Sequence, residues 1–221
     1  MKLKRIGHLT AALVVLPLAA FAVPDMAAST AVTTQEEMQV AATSGHSSPI
    51  VLASDIYLTS AITIINGQPG PAHNVTFNGA SHTLDAQGND RCFWFMNGPT
   101  VIITDIVITG GSSDNGRGGA IWLESGSTLT LERVHVFNNS VTSDGGGIYV
   151  GYECNFYMID STVSHNNAIV GLYAGDTTSS GGGLYYESSV RDVHISGSTV
   201  SFNHAPGNGG GIYLNNHQEK G

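Results

Sequence analysis

Four times along this chain a glycine cluster runs directly into a short aliphatic–aromatic segment. The copies are Gly118-Gly119-Ala120-Ile121-Trp122-Leu123, Gly145-Gly146-Gly147-Ile148-Tyr149-Val150, Gly181-Gly182-Gly183-Leu184-Tyr185-Tyr186 and Gly209-Gly210-Gly211-Ile212-Tyr213-Leu214. Their Ile/Leu positions are 27, 36 and 28 residues apart. A recurrence of this length is the signature of a solenoid, in which each unit buries its apolar face only by stacking on the next.

Other columns step in the same way. Val101-Ile102-Ile103 aligns with Leu129-Thr130-Leu131, Phe156-Tyr157-Met158 and Val193-His194-Ile195, at intervals of 28, 27 and 37 residues. Ile106-Val107-Ile108 aligns at the same intervals with Val134-His135-Val136, Ser161-Thr162-Val163 and Ser198-Thr199-Val200. The extra length falls in one place, around Ile169–Asp176, where an insertion leaves the register intact on both sides and reads as a loop on a repeating scaffold.

The runs are short, β-branched and cut by glycine, which suits strands better than helices. Asn-Gly pairs stand at 66–67, 78–79, 97–98, 115–116 and 208–209, but they do not recur at the short, regular spacing of a hairpin meander, so antiparallel hairpins fit poorly. Within each strand the first and third residues share a face, which sets Ile148 and Val150 inward with their equivalents. The expected fold is all-β: a parallel β-helix with coils of about 27–28 residues. Asn139, Asn166 and Asn203 form a polar column just after the Val136, Val163 and Val200 strand, with Gly111 in the equivalent place one coil earlier. Asn or Gly there suits a bend that needs left-handed backbone angles and must satisfy freed amides.

Composition bounds the rest. Residues 1–22 read as a secretory signal: Lys2, Lys4 and Arg5, an apolar run from Leu9 to Phe21, and the small-x-small pattern Ala20-Phe21-Ala22. The apolar run is too short for a membrane span, and the mature chain is expected to have no transmembrane segment. Cleavage after Ala22 would leave five of the eight cations and all seventeen carboxylates, a net charge of 5 − 17 = −12. With those cations scattered, a nucleic-acid partner is not expected. Residues 23–49 read as a flexible lead-in, 50–90 as an N-terminal cap with irregular first coils, and 91–221 as the repeats, cut short at the C-terminus. Cys92 and Cys154 are two repeat lengths apart, a separation that strains disulfide geometry, so two separate thiols are expected.

These repeats resemble the right-handed parallel β-helix proteins of bacterial surfaces, within the pectin-lyase-like superfold. The nearest named group is the polymorphic outer membrane proteins and related autotransporter-type adhesins. Their repeats combine Gly-Gly-Ala-Ile, present as Gly118-Gly119-Ala120-Ile121, with Phe-x-x-Asn, approximated by Ser164-His165-Asn166 and Ser201-Phe202-Asn203. The likeness covers about Asp85 to Leu214 and implies a right-handed coil and an adhesin-like role. Two departures stand out. No membrane β-barrel follows the repeats, and the sequence stops within a coil. A fragment or truncated reading frame of a longer surface protein is therefore expected.

The same superfold includes enzymes that cleave acidic polysaccharides. The polygalacturonase strings Asn-Thr-Asp, Asp-Asp, Gly-His-Gly and Arg-Ile-Lys are missing from this sequence. A lyase-type reading would gather Asp85, Asp90 and Asp114 for a cation, with Arg91 as base. The competing account makes them turn residues, since Asp85–Asp90 and Ser112–Gly116 have turn composition throughout. Asp114, Asp144 and Asp176 each precede a glycine cluster, but their contexts differ and no calcium-loop pattern is present. The histidines do not show metal-ligand spacing. No cofactor and no metal is expected.

Trp122, Tyr149, Tyr185 and Tyr213 form an aromatic column that points outward if Ile121 and Leu123 point in. One ring per coil could stack on sugar rings or a partner protein; the alternative is a ring ladder that only stabilises its sheet. The sequence reading is thus an exported, secreted or outer-membrane-associated, non-catalytic adhesin-like scaffold. Its partners would be a host-cell glycan or surface protein. The alternative is a carbohydrate-active lyase or hydrolase.

Overall fold

The computed structural model describes residues 29–44, 49–66, 74–114, 116–169 and 178–215. The segment read as a secretory signal, and residues 170–177 of the insertion, lie outside them. Short strands wind into three long parallel sheets and one narrow one. The first sheet stacks Thr30–Val32, Ile50–Leu52, Asn74–Asn78, Thr100–Thr104, Thr128–Glu132, Asn155–Ile159 and Asp192–Ser196. The second stacks Ile56–Tyr57, Thr83–Asp85, Val107–Thr109, His135–Phe137, Thr162–Ser164 and Thr199–Ser201. The third stacks Ile62–Ile65, Phe93–Met96, Ile121–Leu123, Ile148–Val150, Leu184–Tyr186 and Ile212–Leu214. Ser112–Ser113, Ser140–Val141 and Asn167–Ala168 form the narrow sheet. The chain is a parallel β-solenoid, with the core running as one column up its axis.

The register places like over like. Leu84, Ile108, Val136, Val163 and Val200 are successive partners in the second sheet. Ile108, Val136 and Val163 are fully buried, and Val200 packs against the same core. The inward residues include large rings: Phe77 packs on Phe93 at 5.2 Å and Phe93 on Phe95 at 5.4 Å. Each such side chain contributes about 1.5–3 kcal/mol on full burial, which is how three-residue strands of little intrinsic stability persist.

The glycine clusters have two separate causes. The first glycine of each, Gly118, Gly145, Gly181 and Gly209, takes a left-handed φ of 61 to 74°, where a side chain is strained. The second, at Gly119, Gly146 and Gly182, lies so near the next coil that a Cβ would collide with the carbonyl oxygen of Gly146, Gly182 or Gly210. The clusters therefore set both the turn and the tightness of coil stacking.

The asparagine column is a ladder. Gly111 N–H donates to Asn139 Oδ1 at 2.8 Å, Asn139 N–H to Asn166 Oδ1 at 3.1 Å, and Asn166 N–H to Asn203 Oδ1 at 2.9 Å. The left-handed residues of this bend are not the ladder members but those before them: Gly110, Asn138, His165 and Phe202, at φ 66, 53, 55 and 53°. That twist aims each following amide inward, where it satisfies backbone groups water does not reach.

The N-terminal region differs from expectation. Within the segment read as a flexible lead-in, Thr30–Val32 joins the first sheet and Gln35–Thr43 forms an α-helix. Thr34 and Glu37 make a reciprocal capping box at its start. Met38 and Ala42, one turn apart, are buried against the first coils. The cap is thus this helix, and the rungs read as irregular pair normally, with Asn74–Asn78 in full register with Thr100–Thr104.

Candidate functional site

The third sheet carries the aromatic column on its outer face. Because Ile121 and Leu123 are inward and fully buried, alternation sends Trp122 outward, and the register sets Trp94, Trp122, Tyr149, Tyr185 and Tyr213 in line. The Trp94 and Trp122 indoles stack at 5.0 Å and 6°. Trp122 meets Tyr149 edge-on at 6.4 Å and 89°. Tyr149 and Tyr185 stack at 5.0 Å and 11°, and Tyr185 tilts against Tyr213 at 5.3 Å and 39°.

Burial divides the four residues singled out from the sequence. Tyr149 and Tyr185 are 1% and 6% exposed, whereas Trp122 and Tyr213 are half-buried. The middle of the column is therefore packed ring on ring, and its two ends keep accessible ring surface. Trp94, half-buried beside Trp122, extends the column by one coil. Sequence reasoning missed it because Asn89-Asp90-Arg91-Cys92 replaces the glycine cluster before that strand. Its signal was the spacing alone, since Trp94 precedes Trp122 by 28 residues.

Charged groups flank the rings. The Arg91 guanidinium lies 5.1 Å from the Trp94 ring centre and 4.7 Å from that of Trp122. It donates from Nη2 to Ser113 Oγ at 2.7 Å. Burial lowers its pKa while Asp90 and Glu124 oppose the shift, and a guanidinium keeps its proton at neutral pH. Arg91 Nε and Trp94 Nε1 are buried without a hydrogen-bond partner. Further along, Arg117 is exposed and spans the Tyr149 ring at 4.8 Å. The Tyr149 hydroxyl donates to Glu187, a buried carboxylate that also accepts from Asn215 Nδ2 at 2.8 Å. Burial, then the bond to Glu187, drives the Tyr149 pKa strongly upward, so this phenol stays protonated.

The residues of the lyase reading are not assembled as that reading requires. Asp85 ends a strand of the second sheet and accepts from Gln87 N–H at 2.8 Å. Asp90 accepts from Arg91 N–H at 2.8 Å and from Ala61 N–H at 3.3 Å. Asp114 is exposed and offers its backbone carbonyl to Thr142 Oγ1 at 2.7 Å. Among the described residues no group of three or more His, Cys, Asp or Glu could hold a metal ion. Arg91, set beside two stacked indoles, is placed as a cation rather than as a base. The turn account needs one amendment, since Ser112–Ser113 is a strand of the narrow sheet. Asp144 accepts from Ser180 N–H at 2.8 Å, and Asp176 lies outside the described residues.

Cys92 and Cys154 are both free and buried. Burial raises both thiol pKa values, that of Cys154 to about 11, so neither is a ready nucleophile. His135 stacks on Phe137 at 4.8 Å and His165 on Phe202 at 5.1 Å, outer-face contacts that steady the second sheet.

Residues 29–149, more than half of the chain, match the model of a family described as "Putative pectate lyase-like adhesive domain". No curated protein and no solved structure matches the chain.

Proposed function

We propose, on the premise that this chain belongs to the pectate lyase-like adhesive domain family, that it is a non-catalytic adhesin-like scaffold whose partner is a surface glycan. The outer face of the third sheet is the binding surface, and the protein is exported and acts secreted or at the cell surface. The observation that carries this reading is the Trp94–Trp122 end of the column. Two parallel, stacked indoles keep part of their surface open, and aromatic rings of this kind pack on the apolar faces of sugars. The buried Arg91 guanidinium lies against both rings, its Nε 3.8 Å from Asp90 Oδ1, and holds them in place. Tyr149 and Tyr185 then act as the rigid base that holds the accessible rings in line, and Tyr213 offers a second contact two coils beyond Tyr149.

A glycan array read with purified protein tests the proposal. Trp94→Ala with Trp122→Ala should abolish the binding seen for the parent while the β-rich circular dichroism spectrum persists. Tyr149→Ala should lower the melting temperature instead. Binding that survives the double tryptophan variant, or capture of a surface protein with no glycan bound, would overturn the glycan assignment. Cleavage of polygalacturonate that disappears in Arg91→Ala would overturn the non-catalytic one.

A further inference from the structure

Two places beyond the outward ring in each rung of the third sheet, a second column holds two carboxylates in unequal surroundings. Leu123, Val150, Tyr186 and Leu214 are register partners. The residue after each of them keeps the ladder going. Glu124 N–H donates to Phe95 O, Gly151 to Leu123 O, Glu187 to Val150 O and Asn215 to Tyr186 O, at 2.8–2.9 Å. Glu124 and Glu187 therefore share one column, two coils apart, with Gly151 between them. Alternation sets that column on the outer face, beside the rings.

Glu187 is buried and its oxygens are occupied. It accepts from the Tyr149 hydroxyl, one coil earlier, and from Asn215 Nδ2 at 2.8 Å. Glu124 is half-buried, and among the described residues its carboxylate takes part in no hydrogen bond and no ion pair. The ring one coil before it is Trp94, the register partner of Trp122, and an indole has no hydroxyl to offer. Gly151, on the other side, has no side chain. Tryptophan in place of tyrosine thus leaves a carboxylate with open lone pairs next to the two stacked indoles.

We propose that Glu124 is the specificity-determining residue of this site: its carboxylate accepts hydrogen bonds from the hydroxyls of a sugar packed against Trp94 and Trp122, and selects a neutral glycan over an acidic one. The inference rests on the glycan-binding reading above. At Glu187 the Tyr149 hydroxyl makes, inside the protein, the contact that a sugar hydroxyl makes at Glu124. An ionised carboxylate only accepts, so it suits a hydroxyl-bearing ligand and repels another carboxylate. The cation at these rings does not reverse that preference. Arg91 is 4% exposed, its Nε lies 3.8 Å from Asp90 Oδ1, and both Asp90 and Glu124 act on its charge. The exposed Arg117 is held over the Tyr149 ring, a coil further on.

The test is a panel of neutral hexose oligosaccharides, each paired with the form whose primary hydroxyls are oxidised to carboxylates, titrated against the full chain. The parent should bind a neutral member about tenfold or more tightly than its acidic partner. Glu124→Gln should weaken neutral binding about tenfold, narrow the neutral-to-acidic ratio and leave the melting temperature unchanged. Glu187→Gln should lower the melting temperature and keep the parent ratio. Trp94→Ala with Trp122→Ala should abolish binding of both members. A parent that favours the acidic members, or a Glu124→Gln variant with parent affinity and ratio, would overturn the role of Glu124 and leave glycan binding standing. A parent that binds no member of the panel would overturn both.

Discussion

The two ends of this solenoid face the same physical problem and answer it differently. Any terminal rung exposes a row of backbone donors and acceptors and an open cross-section of core. At the N-terminal end a nine-residue helix covers both. Met38 and Ala42 close over the core, and the side-chain amides of Gln35 and Gln39 stand in for the strand that would otherwise pair there. In the last described rung the same columns carry Val193, Ile195, Ile212 and Leu214, all exposed. A short amphipathic segment suffices to cover the first rung of a solenoid.

The largest expected difference between the two regions is in truncation cost. Phe95, fully buried beside Phe93, should lose about 3–5 kcal/mol on replacement by Ala, as large core rings do. Ile195→Ala at the open end should cost about 1 kcal/mol or less, because much of that side chain is already in water. Urea titration of both variants measures this. Equal costs would show that the last rung is packed like the others and would remove the contrast.

A smaller contrast is expected along the asparagine ladder. Asn166 is buried, accepts from Asn139 N–H and Nδ2, and donates to Val136 O at 3.1 Å and Asn203 Oδ1 at 3.0 Å. Asn166→Ala should cost about 2–3 kcal/mol by stranding those groups away from water. Asn203→Ala, half-buried at the open end, should cost about 1 kcal/mol because solvent substitutes for the lost amide. The same titration decides it, and an Asn203 variant as damaging as the Asn166 one would mean that the ladder is sealed at both ends.

Legibility in the sequence followed periodicity. The Ile148, Val136 and Asn166 columns were readable because each repeats every coil and only coaxial stacking explains the repeat. Trp94 has the spacing but lacks the glycine cluster, and a reading keyed to glycine passed over it. The capping helix occurs once, so no column marks it. Its buried face is two residues, Met38 and Ala42, and its glutamines gain meaning only against an open strand edge. What could have found it is local: Thr34 followed three residues later by Glu37. For the candidate site, the sequence placed Trp122, Tyr149, Tyr185 and Tyr213 in one line. It did not show which rings stay accessible, because that depends on Arg91, Arg117 and Glu187 folding back from neighbouring turns.

The weakest effect is that of pH on the capping helix. Glu37 carries a pKa below its usual 4.5, chiefly through the hydrogen bond from the Thr33 backbone N–H, at 2.7 Å, and then that from the Thr33 hydroxyl. A carboxyl whose folded pKa is depressed contributes stability that is fully present above its unfolded pKa and lost as pH falls through the folded value. The helix should therefore loosen below about pH 4.5. Chemical shifts of residues 35–43 followed through an acid titration measure this. Glu37→Gln should flatten the response of the helix, and Thr34→Ala, which removes the other half of the capping box, should weaken the helix by about 1 kcal/mol at every pH. Helical shifts that hold steady into strong acid would mean that Met38, Ala42 and the two glutamines secure the cap without the box. The first rung would then be held by packing and edge satisfaction alone.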